Sequence, residues 1–169
     1  FTVDLVGAVA MFTAPSPDSV IASLSKIRGT AADALAGVST AGQIEIAIAE
    51  NGALNGCWNG TIAGGTFTLA GCPIYYPITG GDRGGLYSVP STFWEVSAPP
   101  LTSQFGYKVW VRARDNATPT GTYTATADIS SITFTYNTNF PGAAILQPPP
   151  LPAAGGNLSA AFSVSGTAS

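Results

Sequence analysis

Apolar and polar residues alternate along the first twelve positions of the chain, which read FTVDLVGAVAMF. The side that carries the apolar series consists of Phe1, Val3, Leu5, Gly7, Val9 and Met11. Because successive side chains of a strand point to opposite faces, this alternation predicts a β-strand. No second strand that could form a hairpin with it comes before Pro15. The strand therefore pairs either within its own domain or with a neighbouring molecule, and the pattern leaves both alternatives open.

A helix is predicted to follow, because Ser16, Pro17 and Asp18 have the residue types that begin helices. They supply a capping hydroxyl, a proline for the first turn and an acid near the positive end of the helix dipole. Gly29 ends the segment, after apolar residues at helical spacing: Val20, Ile21, Leu24 and Ile27. Residues 30–36 are predicted to form a second, short helical turn.

Everything after these residues has the pattern of β structure. Residues 42–50 alternate isoleucines with alanines and a glutamate, which predicts one buried side and one solvent-facing side. The buried series is Ile44, Ile46 and Ile48, and the solvent-facing series is Glu45, Ala47 and Ala49. Further strands are predicted over residues 86–89, 92–96 and 157–165.

The most regular alternation lies in residues 105–114. The buried series is predicted to be Tyr107, Val109, Val111 and Ala113, and the outward series Lys108, Trp110, Arg112 and Arg114. Trp110 therefore lies among cations on a side that should face solvent. Residues 122–136 form another long strand in which two apolar series are out of phase, so a bulge or break is predicted near Ser130 and Ser131.

Gly64 and Gly65 are predicted to form a two-residue turn between strands 54–62 and 66–76, because tight hairpin turns require positive φ. In that register Cys57 lies opposite Cys72, and the two cysteines predict a disulfide in a secreted chain. A strained disulfide and a slipped hairpin register both remain open, and two unpaired buried thiols are the alternative to a disulfide. One face of this hairpin is predicted to be core, with Trp58, Ile62, Phe67 and Leu69. The other is predicted to be surface, with Asn59, Thr61, Thr66, Thr68 and the two cysteines.

Strands separated by turn signals, with few helices and no alternation of strands with helices, predict an all-β fold. We expect an antiparallel β-sandwich of immunoglobulin-like or jelly-roll type, with one or two short helices near the amino terminus. A chain of 169 residues is long enough for one such domain. It divides into an amino-terminal strand, residues 1–14, and a sandwich body, residues 15–169. The proline-rich stretch 147–152 is not expected within a central strand.

Charged residues make up only 9% of the chain, against about 25% in an average soluble protein. The net charge is −3, so we expect no basic surface that neutralises nucleic-acid phosphates. The longest apolar run, residues 5–12, is far shorter than the roughly 20 residues that span a bilayer, and no membrane span is expected. A chain that begins with Phe1 is expected to have lost a secretory signal peptide, which places it outside the cell, unless a cloning decision set that start.

The chain has no histidine, which removes the commonest general base and most zinc sites. Its nine carboxylates are scattered singly along the sequence, and we do not expect two of them to share a cleft as a glycosidase requires. We therefore expect no enzyme, no cofactor and no metal site. Asp82 and the pair Asp115 and Asn116 have the oxygen ligands that calcium uses, but turn formation explains them as well.

Three N-glycosylation sequons begin at Asn59, Asn116 and Asn157. Glycosylation also requires an exposed backbone, and Asn59 lies on the hairpin face predicted to be surface. Five aromatic residues are a candidate platform for stacking a sugar, with core packing as the alternative: Tyr75, Tyr76, Tyr87, Trp94 and Trp110.

The alternating amino-terminal strand, the all-β body with few charges, the single disulfide and the carboxyl-terminal strand together resemble the subunits of donor-strand pili. These are the chaperone–usher fimbriae and the archaeal bundling or thread filaments. The stretch GTYTATADISSITFTYN at 121–137 is similar to the late strands of fimbrial subunits. The disulfide departs from chaperone–usher subunits, which place it early and between more distant strands, and this favours the archaeal-type filaments or an unplaced bacterial relative.

The resemblance implies a structural subunit that polymerises with copies of itself by inserting its amino-terminal strand into the next subunit. The inserted residues would be Phe1, Val3, Leu5, Gly7, Val9 and Met11. Pro15 and Pro17 would stiffen the junction. Head-to-tail donation does not close on itself, so the product is a filament, with a host surface or a glycan as a further partner. A secreted carbohydrate-binding or adhesive module and a virion structural protein are the alternatives.

Overall fold

The computed structural model describes residues 4, 6–38, 40–51, 56–88, 92–117, 123–125 and 129–139, and the backbone of 143–145 and 166–168. The chain divides into two compact units, Phe1–Thr138 and Asn139–Ser169. In the second unit, β12 (Ala143–Ile145) pairs antiparallel with β13 (Gly166–Ala168). The predicted proline-rich stretch 147–152 and the predicted strand 157–165 lie outside the described residues.

The first unit is built from strands that form two sheets. Its described strands are β1 (Val9–Ala14), β2 (Ser19–Ile21), β3 (Lys26–Ala32), β4 (Ile44–Asn51), β5 (Cys57–Trp58), β6 (Phe67–Leu69), β7 (Tyr76–Pro77), β8 (Leu86–Ser88), β9 (Phe93–Ser97), β10 (Phe105–Ala113) and β11 (Ser130–Tyr136). The four-stranded sheet has the order β1-β3-β9-β8. The seven-stranded sheet has the order β2-β11-β10-β4-β5-β6, with β7 paired to β4. Its pairs are antiparallel except β2 with β11, which is parallel.

The two sheets share one hydrophobic core, which confirms an all-β, sandwich-like arrangement. Ile27 and Trp94 enter this core from the four-stranded sheet, and Ile46 and Val109 enter it from the seven-stranded sheet. The centre of the larger sheet is β10, which pairs with β4 on one side and β11 on the other. The buried series of β10 is as predicted: Tyr107, Val109, Val111 and Ala113 are each 0% exposed.

Both predicted amino-terminal helices are wrong, because Ser19–Ile21 and Lys26–Ala32 form strands β2 and β3, and residues 22–25 and 33–36 are not helical. Asp18 does not cap a helix. Its N–H donates to the Thr133 carbonyl (2.7 Å), and its carboxylate accepts from the Thr133 hydroxyl, which fixes it to β11. Ala41–Gln43 forms a 3-10 turn, and it is the only helical element among the residues that the structure describes.

The prediction of a solvent-facing side for β4 is also wrong. Ala47 and Ala49 are buried together with the isoleucines, although Glu45 is only half-buried. Ala47 lies opposite Trp110 on β10, and Ala49 lies between Lys108 on β10 and Cys57 on β5. Small side chains flanked by long ones lose their exposure even on the outer face of a sheet.

The hairpin of β5 and β6 has a different register from the predicted one. Cys57 lies opposite Leu69, and Trp58 lies opposite Phe67. The Gly65 N–H donates to the Ile62 carbonyl (3.2 Å), so Ala63 and Gly64 are the central residues of the turn. Trp58 and Phe67 are buried as predicted, but Leu69 is exposed and Cys57 is buried, which reverses their predicted faces.

A buried polar pair joins β4 to β10 at one end of the core. The Tyr107 hydroxyl donates to Glu50 Oε2 (3.0 Å) and accepts from the Thr102 N–H (2.7 Å). Burial and the neighbouring Glu50 carboxylate raise the pKa of Tyr107 to about 12, against an opposing contribution from Thr102. The neutral phenol is therefore the form that the folded protein stabilises.

Raising the pH above 10 is expected to destabilise the protein through Tyr107. In the unfolded chain this phenol ionises near pH 10, so between pH 10 and 12 the unfolded state binds fewer protons and the free energy of unfolding falls. The loss approaches about 3 kcal/mol once the pH passes 12, because the pKa differs by two units at about 1.4 kcal/mol per unit. Urea unfolding at pH 8, 10, 11 and 12 measures it.

The comparison for this measurement is Y107F, because burial also raises the pKa of Tyr75 and of Tyr87, and these two add to the alkaline loss. Y107F starts from a lower stability at pH 8, since Glu50 loses a hydrogen-bond donor. Its stability should then fall less steeply above pH 10 than that of the wild type. Parallel curves for the two proteins would contradict the assignment.

Candidate functional site

Strand β1 lies at an edge of the four-stranded sheet and pairs with β3 of its own chain. Val9–Ala14 therefore pairs within its own domain, which is the first of the two alternatives that the sequence leaves open. Burial alternates along the strand, but the inward residues are Ala8 and Ala10, which are 0% exposed. Val9 (45% exposed) and Met11 (59%) face outward, although they belong to the series predicted for insertion. Phe1, Val3 and Leu5 of that series lie outside the described residues.

The size of the side chains explains which face of β1 turns inward. Phe12 packs edge-on against Trp94, with ring centroids 5.7 Å apart, and Trp94 fills the core beneath β1 and β3. Alanine at positions 8 and 10 fits this filled space, Phe12 takes the place beside Trp94, and Val9 and Met11 remain outside. The strand is thus held in its sheet by backbone pairing and by an inward face of two small residues and one aromatic ring.

Asp4 and residues 6–8 extend the contacts of β1 to two loops of the same unit. The Asp4 carboxylate accepts from the N–H groups of Val6 (3.0 Å) and Ala36 (3.1 Å). A Cβ on Gly7 would overlap the Tyr123 carbonyl, so this glycine allows a close backbone approach. The Ala8 carbonyl accepts from the Thr124 hydroxyl (2.5 Å). The amino-terminal segment therefore docks through main-chain contacts along much of its length.

Exposed large apolar side chains concentrate near the amino terminus. Among the described residues, five of the eight lie in the first 35 positions, and we call them the amino-terminal apolar surface: Val6, Val9, Met11, Val20 and Leu35. Val6, Val9 and Leu35 line one shallow groove of about 250 Å³. Val20 lies on β2, the edge strand of the other sheet. Exposed apolar residues next to a sheet edge are typical of surfaces that another chain covers.

Three carboxylates meet beside this surface, which corrects the expectation that the acids remain apart. Oxygen atoms of Asp4, Asp33 and Asp115 all lie within 4.8 Å of one another. Asp115 is buried, and the other two are half-buried. Each acid also organises its own loop; Asp33 Oδ1, for example, accepts from the N–H groups of Leu35 (2.9 Å), Ala36 (2.7 Å) and Gly37 (3.1 Å).

The chemistry of this cluster differs from that of a glycosidase pair. Burial raises the pKa of Asp33, but the three N–H groups outweigh burial and hold the pKa below its usual value. A general acid needs a raised pKa, so Asp33 is poorly suited to that role. An oxygen-only set of ligands is the kind that binds Ca²⁺ or Mg²⁺, and the three carboxylates could hold such an ion.

Asp82, the other acid singled out in the sequence, stabilises the β5–β6 turn by hydrogen bonds. Its carboxylate accepts from the N–H groups of Ile62 (2.9 Å) and Ala63. These two hydrogen bonds lower the pKa of Asp82. Its neighbour Arg83 donates to the Pro77 (2.8 Å), Thr79 (3.2 Å) and Gly60 carbonyls. The Asp82 carboxylate thus holds a turn that is distant in sequence.

The five aromatic residues do not form one sugar platform. Trp94 is 0% exposed, and Tyr76 and Tyr87 pack against the core. Trp110 lies on the outer face of the seven-stranded sheet, as predicted, and Tyr75 stacks on Arg112 of the same face at 4.1 Å from the ring centroid. Core packing is therefore the role of three of the five.

The disulfide between Cys57 and Cys72 is present, with Cα atoms 5.4 Å apart. The slipped hairpin register places Cys72 beyond the end of β6. Of the sequons, Asn116 is exposed. Asn59 is half-buried, and its side chain accepts from the Thr61 N–H (3.2 Å) and hydroxyl (2.9 Å). Asn157 lies outside the described residues, and glycosylation stays a prediction.

Sequence reasoning missed several surface residues that the fold brings together. Val6, Val20 and Leu35 were not singled out, and neither was the ion pair between Arg112 and Glu45. The pairing of β4 with β10 would have shown that ion pair, because the two residues lie directly opposite each other. The meeting of three acids from positions 4, 33 and 115 leaves no local signal in the sequence.

Comparisons with models of known protein families and with curated protein sequences gave no match. Among the described residues, no helix has the length and apolar character that crossing a bilayer requires.

Proposed function

We propose that this protein is a structural subunit of an extracellular filament, and that its subunits join head to tail by exchanging the amino-terminal strand. Each copy would place residues 4–14 in the sheet of the next copy, where they replace that copy's own β1. The body would be a sandwich of immunoglobulin-like or jelly-roll type. Such an open exchange repeats without closing and yields a homopolymer.

The observation that carries this proposal is the position of β1 as an edge strand beside a filled core. Its pairing with β3 and the contacts of Asp4 and Ala8 are all made by one contiguous segment. A second copy of the same segment can make the same contacts, because exchange needs no new interaction at that site. The segment between Ala14 and Ser19 would then connect one subunit to the next.

The amino-terminal apolar surface supports the same assembly. Exchange brings two bodies close together at the strand junction, next to Val9, Met11 and Val20. Covering these side chains removes apolar area from water at about 25 cal/mol per Å². In the single chain the same side chains are a hazard for irregular association, so a regular partner gives a reason for their exposure.

Two further features fit a filament subunit outside the cell. With 9% charged residues the chain has little electrostatic self-repulsion when many copies pack together. A disulfide is compatible with an oxidising compartment, where such bonds persist. Attachment to a host surface through such a filament is part of the proposal.

Cysteine cross-linking tests the exchange directly. Val9 on β1 lies opposite Ala32 on β3, and both are exposed, so V9C/A32C places one cysteine on each side of the exchanged contact. In assembled material, oxidation should link successive copies and give a ladder of covalent multimers on a non-reducing gel. The native disulfide lies within one chain and adds nothing to the ladder.

The matched control is K108C/T133C, a directly opposite pair between β10 and β11, which should form cross-links within one chain only. If V9C/A32C filaments contain cross-links only within single chains, strand exchange is rejected. The filament would then form through a different contact. Absence of filaments from full-length protein, by negative-stain microscopy across a concentration series, would reject the filament function itself.

A further inference from the structure

The outer side of β10 carries a row of cations and aromatic rings that the filament proposal does not use. We call it the basic face, and it consists of Lys108, Trp110, Arg112 and Arg114 with Tyr75 and Tyr123. The bridge between Arg114 and Tyr123 places that tyrosine beside the end of β10. Alternate residues of a strand lie about 7 Å apart, so the row from Lys108 to Arg114 extends about 20 Å.

Arg112 fixes the centre of the basic face. Its guanidinium forms an ion pair with Glu45 (2.5 Å) and lies between the rings of Tyr75 (4.1 Å) and Tyr123 (4.4 Å). The Tyr123 hydroxyl also donates to Glu45 Oε1 (3.2 Å). These contacts neutralise Arg112 and hold both rings in place, so this part of the face is ordered before any ligand arrives.

The two outer cations of the row have no carboxylate partner among the described residues. The ion pairs there are formed by Lys26 and Arg28, which share Glu95, and by Arg112 with Glu45. The Lys108 ammonium lies 5.0 Å from the centre of the Trp110 ring, and the buried Nε of Arg114 has no hydrogen-bond partner. The three cations and Glu45 together carry a charge of about +2, and the carboxylate of Asp18, which accepts from the hydroxyl of Thr133 opposite Lys108, lowers the local charge to about +1 on a chain whose net charge is −3.

Trp110 and Lys108 are both half-buried, and each lies between short side chains on the outer face of the sheet. Ala47 lies opposite Trp110 on β4, and Ser131 lies opposite it on β11. Lys108 is likewise flanked by Ala49 and Thr133. The exposed parts of Trp110 and Lys108 are therefore adjacent, and a flat ligand can contact both.

We propose that the basic face binds an anionic polysaccharide. One sugar ring stacks on Trp110, and acidic groups of neighbouring units pair with Lys108 and Arg114. Lys108 and Arg114 lie about 20 Å apart along the backbone, a spacing that suits a polymer with separated charges, whereas DNA carries one charge per about 1.7 Å. The negative net charge of the chain adds to the preference for the sparser polyanion. The groups that would contact the ligand, Lys108, Trp110 and Arg114, lie on the outer face of the larger sheet and not at the β1 edge; Tyr123, which positions Arg112, also contacts the exchanged segment at Gly7.

Affinity electrophoresis and calorimetry with polygalacturonate as the probe test this proposal. Dextran sulfate distinguishes sulfate from carboxylate recognition, and neutral dextran measures stacking without charge. We expect W110A and K108Q/R114Q each to weaken polygalacturonate binding at least tenfold, with binding that also weakens as salt rises. Dextran sulfate binding with the same dependence on these residues supports the anionic-sugar assignment.

K26Q/R28Q is the matched control, because it removes the same two charges from the outer face of the other sheet. It should bind polygalacturonate within twofold of the wild type, and circular dichroism checks that every variant is folded. Equal losses in K26Q/R28Q and K108Q/R114Q would overturn the site. Equal competition by neutral dextran or by a single-stranded oligonucleotide would overturn the ligand class, and failure of the wild type to bind either acidic polymer would overturn the proposal. None of these results depends on whether filaments form.

Discussion

Replacing Gly29 with alanine is expected to lower the free energy of unfolding by about 3 kcal/mol or more, at or above the upper end of the usual range for overpacked cores. A Cβ at this position would overlap the Met11 carbonyl oxygen on β1 and the indole ring of Trp94. The carbonyl belongs to a paired backbone and the indole is buried, so neither group can move aside alone. In G29A either β1 leaves β3 or Trp94 leaves the core.

G106A is the control for this change, because Gly106 also lies within a strand and the nearest atom to its new Cβ would be 3.8 Å away. Its effect should be within about 1 kcal/mol of zero, since alanine reduces the entropy of the unfolded chain. Thermal unfolding measures both variants, and the expected loss for G29A is about 10 °C. Hydrogen exchange should show lost protection in β1 of G29A and retained protection in β4 and β10.

The Gly29 variant also bears on assembly. A copy of β1 from a neighbouring subunit would meet the same added Cβ as the subunit's own β1. G29A should therefore prevent filaments even when the body remains folded, whereas G106A should assemble like the wild type. Similar stabilities for the two variants would contradict the close packing of β1, β3 and Trp94.

The strands at the centre of the larger sheet could be predicted from the sequence. Their apolar and polar residues alternate over a long run, and many of their apolar residues are β-branched. In β10 nine consecutive residues alternate, and the inward series is the one predicted. The disulfide could be predicted because its two cysteines flank a turn. In these cases the local pattern and the final environment agree.

The residues from Ser19 to Ala32 could not be assigned correctly from the sequence, because Val20, Ile21, Leu24 and Ile27 fit both a helix and two short strands. The decision comes from distant partners: β2 pairs with β11, and β3 pairs with β1 and β9. The inward face of β1, with Ala10 and Phe12, packs against a core that contains Trp94, which lies more than 80 positions away from these residues along the chain. Neither effect has a local signature in the sequence.

The hairpin register and the acidic cluster also depend on contacts between residues that are distant in the sequence. Asp82 accepts from the N–H groups of Ile62 and Ala63, which fixes the turn one residue before the predicted glycine pair. Asp4, Asp33 and Asp115 come from three separate segments that meet only when the sheets are packed. The amino-terminal segment could therefore be predicted as a strand from Val9 onward, but neither its inward face nor the residues that surround it could.

Removing the disulfide is the second large change, and C57S/C72S is expected to lose about 3 kcal/mol of stability. The two cysteines are 15 positions apart, and the chain-entropy estimate for a loop of that length is about 3 kcal/mol. The strands that the bond reinforces are short: β5 has two residues and β6 has three. Trp58 on β5 should lose its fixed place beside Tyr76, where the ring centroids are 5.7 Å apart.

Urea unfolding followed by tryptophan fluorescence measures this loss, and reduced wild-type protein separates its two physical causes. Reduction breaks the cross-link but keeps the Cys57 side chain, which is buried in the folded chain. If the cross-link is responsible, reduced wild type and C57S/C72S unfold at nearly the same urea concentration, well below the oxidised protein. A reduced wild type as stable as the oxidised one would instead assign the loss in C57S/C72S to a polar hydroxyl placed in an apolar site. β5 pairs with β4, and β6 is the edge strand beyond β5. The stability of this hairpin therefore determines how stable that edge of the larger sheet is.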